Sequence, residues 1–516
     1  MEKNLYVTTP IYYVNGDPHL GHAHTSVVAD IIKRMMVMQG SRVFLTTGVD
    51  EHGQKNQEEI IKRGMTTGEY LDMQGDKFKG LFDSLSVSYD YFVRTTSGTH
   101  KAAVVEALSI LFQRGFIEKK KYTGLYCKGC EQFKTAADLD EAGRCPDHKT
   151  KPVLEQEANY FFKLEPYRDW LVGYIHNHPS WIQPEIYRNK VIDMLKEPLE
   201  DLCISRPVSR VSLGIPLPFD PDYVAYVWFD ALLNYISNIG WGKEETAFDA
   251  LWKNSYHLMA KDIIKTHCIY WPIMLKALDI EPVTSNLVHG FWVGGDGRKM
   301  SKSLGNGIDP VQIVAKYGSD CLRLFLAAKL GRTEAKISEE LVAEFYSAVM
   351  VNIFGNTHLR VCSLLGKFAD GRIPPVANPD IKENNFLNEA VRASKASLPQ
   401  SPEMEAVQYS ANSVIELGRS INRYIDASAP WSLAKDPANE TKLRNVLRTA
   451  CEAVRLLFVA AYPFMPQTSV RVLECFGLSE YPRQGQTEAE DGCFILTEDF
   501  RISEVPVLFP KIMKQR

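Results

Sequence analysis

Residues 4–47 read NLYVTTPIYYVNGDPHLGHAHTSVVADIIKRMMVMQGSRVFLTT, and the order of periodicities in this stretch decides the fold. Residues 4–9 form a short apolar run suited to a buried strand. A loop with Pro10, Gly16 and Pro18 follows. From about Leu20 the period becomes helical: Val27, Ile31, Met35 and Met38 recur on one face, and Gly40 supplies the stop. RVFLTT, residues 42–47, is then a second strand. A strand, a crossing helix and a strand are the opening unit of an α/β fold with a Rossmann-like, doubly wound parallel sheet.

The same style recurs outward from this unit. Residues 101–115 predict an amphipathic helix with Val104, Leu108, Leu111 and Phe112 inward and Gly115 as its stop. Residues 120–155 change character, with turn residues and clustered Cys and His, and predict a small inserted module. YVAYVWFDALLNYI, YHLMAKDIIKTHCIYWPIML and NLVHGFWV, within 223–296, complete the sheet, so the insertion interrupts one domain. After about Ser338 the pattern is helical to about 480, broken by a polar connection around 370–384. The expected division is therefore 1–115 for the first half of the sheet domain and 116–222 for the inserted connective domain. Residues 223–296 are its second half, 297–340 a loop and connecting region, and 341–516 a helical domain with a tail.

With 516 residues the chain is too long for one hydrophobic core, and about two to four domains are expected. Hydrophobic residues at 45% and charged residues at 24% are ordinary for a globular protein. A net charge of −4 argues against bulk cationic coating of nucleic acid, although local basic patches are compatible with it. The N-terminal MEKNLYVTTPIYY has no basic head and apolar run of a secretory signal, and no apolar stretch reaches membrane-spanning length. Of ten cysteines, Cys127, Cys130 and Cys145 lie close together and seven are scattered. Reduced thiols in a cytoplasmic protein are the expectation.

Three motifs carry chemistry. HLGH, His19–His22, falls in the loop after the first strand at the mouth of the helix, where free N–H groups and the helix dipole favour phosphate. Gly21 lets a nucleotide lie close to the backbone, and the two imidazoles are donors for phosphate oxygens. Alone, histidines three apart on a helix serve structure as well as they serve a ligand. GRKMSKSLGN, residues 297–306, places Lys299 and Lys302 in a glycine-bearing loop able to close over a polyphosphate; a solvated basic loop reads the same way in isolation. Cys127-x2-Cys130-x14-Cys145-x2-His148 gives two close pairs suited to tetrahedral Zn2+. Four protein ligands leave no open position, so this zinc is structural.

HLGH after the first strand and KMSKS after the last strand of one sheet together resemble the class I aminoacyl-tRNA synthetases. Within that class the chain is similar to the methionyl-tRNA synthetase family over essentially its whole length, through TTPIYYVNGDPHLGH, TGVDEHGQK, YVWFDALLNY, KDIIKTHCIYWPIML and APW. The resemblance implies a methionine–tRNA ligase, in which methionine carboxylate attacks the α-phosphorus of ATP and the 3′ end of tRNA then takes the methionyl group. His19, Gly21, His22, Asp262, Lys299 and Lys302 would bind ATP with Mg2+, and the two histidines and two lysines would stabilise the transition state. Asp50 matches the family's residue for the ammonium group. Ile11, Tyr13, Trp228, Leu232, Tyr235, Ile263, His267 and Trp271 fall on the matching positions of the methionine pocket, where a thioether favours polarisable aromatic walls. Tyr13 and His267 bring polar tips able to read the sulfur.

The resemblance also places the single zinc knuckle in the insertion over the active site, near the tRNA acceptor end. The helical region would read the anticodon, with Asn356 and Arg360 one turn apart and Trp431 as a stacking platform. Ala260 departs from a frequent glycine and leaves the ribose contact open. The expected partners are methionine, ATP and both initiator and elongator methionine tRNA, with no DNA, no membrane and a monomeric chain. A class I enzyme for another amino acid, or a non-catalytic tRNA-binding relative, are the alternatives.

Overall fold

Strand β1, Asn4–Tyr13, lies inside a six-stranded sheet and runs past the expected end at residue 9. Its pairing is irregular between Thr8 and Ile11, where Pro10 has no N–H for the ladder, and then resumes. Helix α1, Leu20–Met38, and strand β2, Arg42–Asp50, complete the strand–helix–strand unit. Val27, Ile31, Met35 and Met38 are all buried. The structure, a computed structural model, describes residues 4–127, 132–134, 138–146, 149–226, 228–298, 300, 307–331, 333–375, 381–396, 398–478, 496–502 and 505–512.

Strand β3, Tyr91–Arg94, pairs outside β2. A Cβ at Gly48 would stand 2.3 Å from the Val93 carbonyl oxygen, so this close approach admits only glycine. On the other side of β1 come Ser255–Ala260, Ser285–His289 and, at the edge, Ile182–Gln183. Every pairing in the sheet is parallel. Strand order leaves β1 in both directions, so the crevice beyond the carboxyl ends of β1 and Ser255–Ala260 is the topological switch point, where open α/β sheets bind ligands.

Ile117–Cys127 and Val153–Phe162 form a long antiparallel pair flanked by Gln132–Lys134 and Leu202–Cys203, a second sheet of four strands. Phe112, expected inward on the helix Gly98–Gln113, is 41% exposed. Its ring instead stacks on Phe219 at 4.0 Å, at the surface where that helix ends. The C-terminal region is helical as expected: Asn356–Phe368, Ile381–Ala396, Met404–Ser428, Glu440–Ala461 and Pro466–Cys475. No helix among the described residues is long and apolar enough to cross a membrane.

Two hydrophobic cores cover the two faces of the parallel sheet. One joins β1, α1 and the C-terminal helices continuously, and includes Leu496, Ile502, Leu508 and Phe509. The other joins Tyr6, Trp271 and Phe162. The first core holds a buried ion pair. Arg323, on the helix Ser319–Ala328, is fully buried. Its Nη2 donates to Asp30 Oδ2 at 2.7 Å and to the Pro463 carbonyl at 2.6 Å. Its Nη1 donates to Leu85 O at 3.0 Å. Arg34 Nε donates to the same Asp30 oxygen at 2.7 Å. Burial alone pushes the Asp30 carboxyl up, but Arg323 and Arg34 outweigh it and hold the group below its ordinary value.

Arg323→Met leaves the Asp30 carboxylate buried with Arg34 as its remaining guanidinium, and a loss of about 3–5 kcal/mol is expected. The check is the urea midpoint of both proteins across pH. Because folding depresses the Asp30 pKa, its contribution is present above the unfolded value and fades as pH falls through the folded one. The wild-type advantage is therefore large at neutral pH and shrinks in acid; equal midpoints at neutral pH would refute the role of this pair.

Candidate functional site

The site begins at the first turn of α1. His19 is its N-cap, in extended conformation, and His22 is at the third helical position. His19 Nδ1 accepts from the Gly21 N–H at 3.1 Å, and His22 Nδ1 accepts from the His19 N–H at 3.2 Å. This reciprocal capping box satisfies two orphan donors of the helix end. With each Nδ1 used as an acceptor, the proton of each neutral ring sits on Nε2, and both rings present an N–H donor there. The rings stack at 3.7 Å, and His22 also packs against Tyr12 and Phe78. Burial first, and then the His19 ring, hold the His22 pKa well below its ordinary value. A Cβ on Gly21 would sit 3.0 Å from the His19 ring, so a larger residue here would press on this cap.

The ends of β1 and β2 supply the next side chains. Tyr13 stands opposite Asp50, and Ile11 opposite Gly48, in the parallel register. Asp50 is buried and its Oδ1 accepts from the His52 N–H at 3.3 Å. The two residues after it are held by other groups. Glu51 takes Arg94 Nε at 2.7 Å and the hydroxyl of Thr96. His52 Nδ1 meets Asp230 Oδ2 at 2.6 Å.

Below the crevice lies an aromatic cluster. Trp228, Tyr235, His267 and Trp271 come together, and Ile263 joins through its backbone. The His267 Nδ1–H donates to the Ile263 carbonyl at 2.9 Å, so its Nε2 accepts the Tyr235 hydroxyl proton at 2.7 Å. Burial lowers the His267 pKa to about 4 and keeps the ring neutral. Both nitrogens are thus engaged within the protein, which corrects the expectation that this ring offers a polar tip. A single turn of wider helix, Thr266–Tyr270, sets the ring's position. Trp271 Nε1 donates to His257 Nε2 at 3.0 Å, and His257 Nδ1 meets Thr8 Oγ1 at 2.7 Å. Leu232 is buried one turn after Trp228. Asp262 is exposed, just after Ser255–Ala260.

Three residues of this region escape sequence reading. Asp230 is buried between His52 and His100, with His100 Nε2 at 2.7 Å. His100 Nδ1 in turn reaches Ser237 Oγ at 3.0 Å. Burial works to raise the Asp230 carboxyl, yet the two imidazoles hold it well below the usual carboxylate range. The network joins the Asp50 strand end to the short helix Trp228–Leu232 that carries Trp228. Asp230 is more than a hundred residues from either histidine, and no local pattern links them.

Lys299, Lys302, Cys130 and His148 lie outside the described residues. The approach to the lysine loop is described. His289 Nε2 is 2.8 Å from Thr25 Oγ1 of α1, and the His289 ring packs on His24 at 4.4 Å. The strand Phe291–Gly294 continues from there, and a helix begins at Pro310. Cys127 and Cys145 are buried, and neither is in a disulfide. A tight turn holds Cys145, whose N–H donates to Thr150 O at 2.9 Å. Two buried thiols of this kind fit a soft ion such as Zn2+. Asn356 and Arg360 both donate to Asn422 Oδ1, at 3.3 and 3.0 Å, and Arg360 also pairs with Asp426. Trp431 is 42% exposed, just after the helix Met404–Ser428 that carries Asn422 and Asp426. These three residues therefore share one end of that helix.

A family model described as "tRNA synthetases class I (M)" matches residues 5–151 and 135–362. Another, "Anticodon binding domain of methionyl tRNA ligase", matches 373–516. The chain is 37% identical over 520 residues to the methionine–tRNA ligase of Caldanaerobacter subterraneus, covering 99% of this chain and 79% of that protein. It is 36% identical over 523 residues to that of Deinococcus radiodurans, covering 99% and 75%. Its structure is similar to Mycobacterium tuberculosis methionyl-tRNA synthetase in complex with methionyl-adenylate, with a TM-score of 0.92, 30% identity, and coverage of 99% and 100%. Against the free-state structure of the same enzyme the TM-score is 0.85 at 26% identity, with coverage of 100% and 99%.

Asp230→Asn removes the charge that His52 and His100 share, and about 3–5 kcal/mol of local stability should go with it. Amide hydrogen exchange is the readout. Segments 50–54 and 228–238 should lose protection together while α1 keeps its own; loosening of one segment alone would refute the coupling.

Proposed function

Because the chain belongs to the methionyl-tRNA synthetase family of class I, we propose that methionine and ATP meet in the crevice beyond the ends of β1 and Ser255–Ala260. The chain is a methionine–tRNA ligase: it forms methionyl-adenylate and pyrophosphate from methionine and ATP, then transfers the methionyl group to tRNA. The observation that carries the placement is the Tyr13–Asp50 register pair, at the same end of the sheet as the His19–His22 cap.

In this reading Asp50 holds the methionine ammonium group. Ile11, Tyr13, Trp228, Leu232, Tyr235, Ile263, His267 and Trp271 form the side-chain pocket. Tyr235 and His267 satisfy each other, so the thioether meets ring faces and a polarisable wall, with the buried indole N–H of Trp228 as the donor left without a protein partner. The methionine carboxylate oxygen attacks the α-phosphorus as the bond to pyrophosphate breaks, and no protein nucleophile takes part. The Nε2–H groups of His19 and His22 donate to the phosphate oxygens where negative charge builds up. Gly21 keeps the backbone open to the nucleotide, and Asp262 stands at the ribose side. Lys299 and Lys302 neutralise the pyrophosphate, with Mg2+ arriving bound to ATP. The contact of α1 with His289 supports this convergence, since the strand leading to the lysine loop starts beside that histidine.

Cys127, Cys130, Cys145 and His148 hold a structural zinc, which would fix the inserted module. Asn356, Arg360 and Trp431 read the anticodon, a reading supported by their shared end of one helix and the exposed indole. The division at 115, 222, 296 and 340 is retained as the domain plan. We place the chain in the cytoplasm as a monomer acting on initiator and elongator methionine tRNA.

Methionine-dependent exchange of labelled pyrophosphate into ATP tests the activity; exchange with a different amino acid alone would overturn it. Lys302→Ala should lower adenylate formation about 10²–10³-fold with methionine affinity nearly intact. Wild-type turnover would remove the lysine from the mechanism. Trp431→Ala should leave exchange untouched and lower the kcat/KM for charging tRNA about 5- to 150-fold, as a lost stacking interaction of about 1–3 kcal/mol does. Equal loss in both steps would rule out an anticodon role.

A further inference from the structure

Two of the scattered cysteines meet a histidine inside the helical region. His358 and Cys362 lie one turn apart on one face of the helix Asn356–Phe368. Cys475 ends the helix Pro466–Cys475, and its sulfur lies within 4.8 Å of that of Cys362. All three residues are buried, and one ligand atom from each lies within 4.8 Å of the others. Cys362 Sγ is 3.7 Å from His358 Nδ1 and 3.9 Å from Nε2. With zinc–sulfur and zinc–nitrogen bonds of about 2.3 and 2.0 Å, the edge of a tetrahedral site is about 3.5–3.8 Å. The histidine and the first cysteine stand near that separation; with the sulfur almost equidistant from both nitrogens, the His358 ring must turn to aim one lone pair at a shared ion.

The surroundings are largely apolar, with the Arg471 charge also acting on the His358 ring. Phe458 and Phe476 flank the His358 ring. Among the described residues, the polar contact of His358 is the sulfur of Cys362, a weak partner for a buried imidazole. Two thiolates and a neutral imidazole around a divalent ion sum to no net charge, the state that a buried apolar site tolerates best. Cys362 and Cys475 are 5% and 6% exposed, so both keep a small contact with solvent, and a water would be the fourth ligand.

We propose that His358, Cys362 and Cys475 form a second metal site that takes a thiophilic divalent ion of the zinc type. The ion would clamp the helix carrying Asn356 and Arg360 to the helix Pro466–Cys475. The proposal stands apart from the anticodon reading and from the knuckle at Cys127.

The test uses the full chain, stripped of metal under reducing conditions and titrated with Co2+, whose thiolate charge-transfer absorption counts cysteine-ligated ions. Wild type should saturate at about two equivalents, and Cys362→Ser and Cys475→Ser each at about one, with unchanged far-ultraviolet dichroism. Cys127→Ser/Cys145→Ser should retain about one equivalent, lost on adding Cys475→Ser. If the knuckle reading fails, wild type binds about one ion and Cys475→Ser abolishes it, which still supports this site. Cobalt binding by Cys362→Ser and Cys475→Ser equal to wild type would overturn the proposal. So would loss of all thiolate absorption in a folded Cys127→Ser/Cys145→Ser protein.

Discussion

A charged group buried in a protein core must be paired where it lies, and Arg323 shows how far that constraint reaches. Its guanidinium touches Asp30 on α1, the backbone at Leu85, and the carbonyls of Pro463 and Phe464 beyond the long C-terminal helix. Three separated parts of the chain are therefore fixed against one planar group. A rigid fork with several donors does this better than an ammonium, because each N–H has a set direction. The first turn of α1 carries His19 and His22, so the orientation of these two rings follows from a contact well inside the molecule.

Several buried polar groups around the crevice are paired within the protein. His267 and Tyr235 satisfy each other, His257 is held by Thr8 and Trp271, and Asp230 is held by two imidazoles. Neutral, oriented rings at His22 and His267 need no reorganisation when a substrate arrives. Adenylate formation asks for placement and charge stabilisation more than for covalent chemistry, and a site of fixed dipoles suits that demand.

Pattern makes β1, α1 and β2 legible because the two central strands are buried on both faces and read as apolar runs, while α1 buries one face and reads with a helical period. Asp50 and Tyr13 are readable as motif members, but their register across two strands is not. Phe112 misled because an apolar residue at a helix end finds an aromatic partner at the surface as readily as in the core. His52, Asp230 and His100 were invisible because a polar residue has no periodic signature, and only the fold brings the three together. Cys362 and Cys475 look scattered for the same reason: their neighbourhood depends on two helices a hundred residues apart meeting end to face.

Asp30 and Arg323 are separated by 293 positions in the chain. At synthesis rates of about 5–20 residues/s, roughly fifteen seconds to a minute pass between the appearance of the acid and of its partner. Throughout most of that interval the carboxylate has Arg34 and the Ser88 N–H as partners, and water must supply the rest of its solvation. The nascent first half can form its strands on the ribosome but cannot dry the interior around α1. Final closure is thereby timed to the emergence of the later helices, and an unfinished chain keeps a wet seam that a chaperone or a protease can recognise.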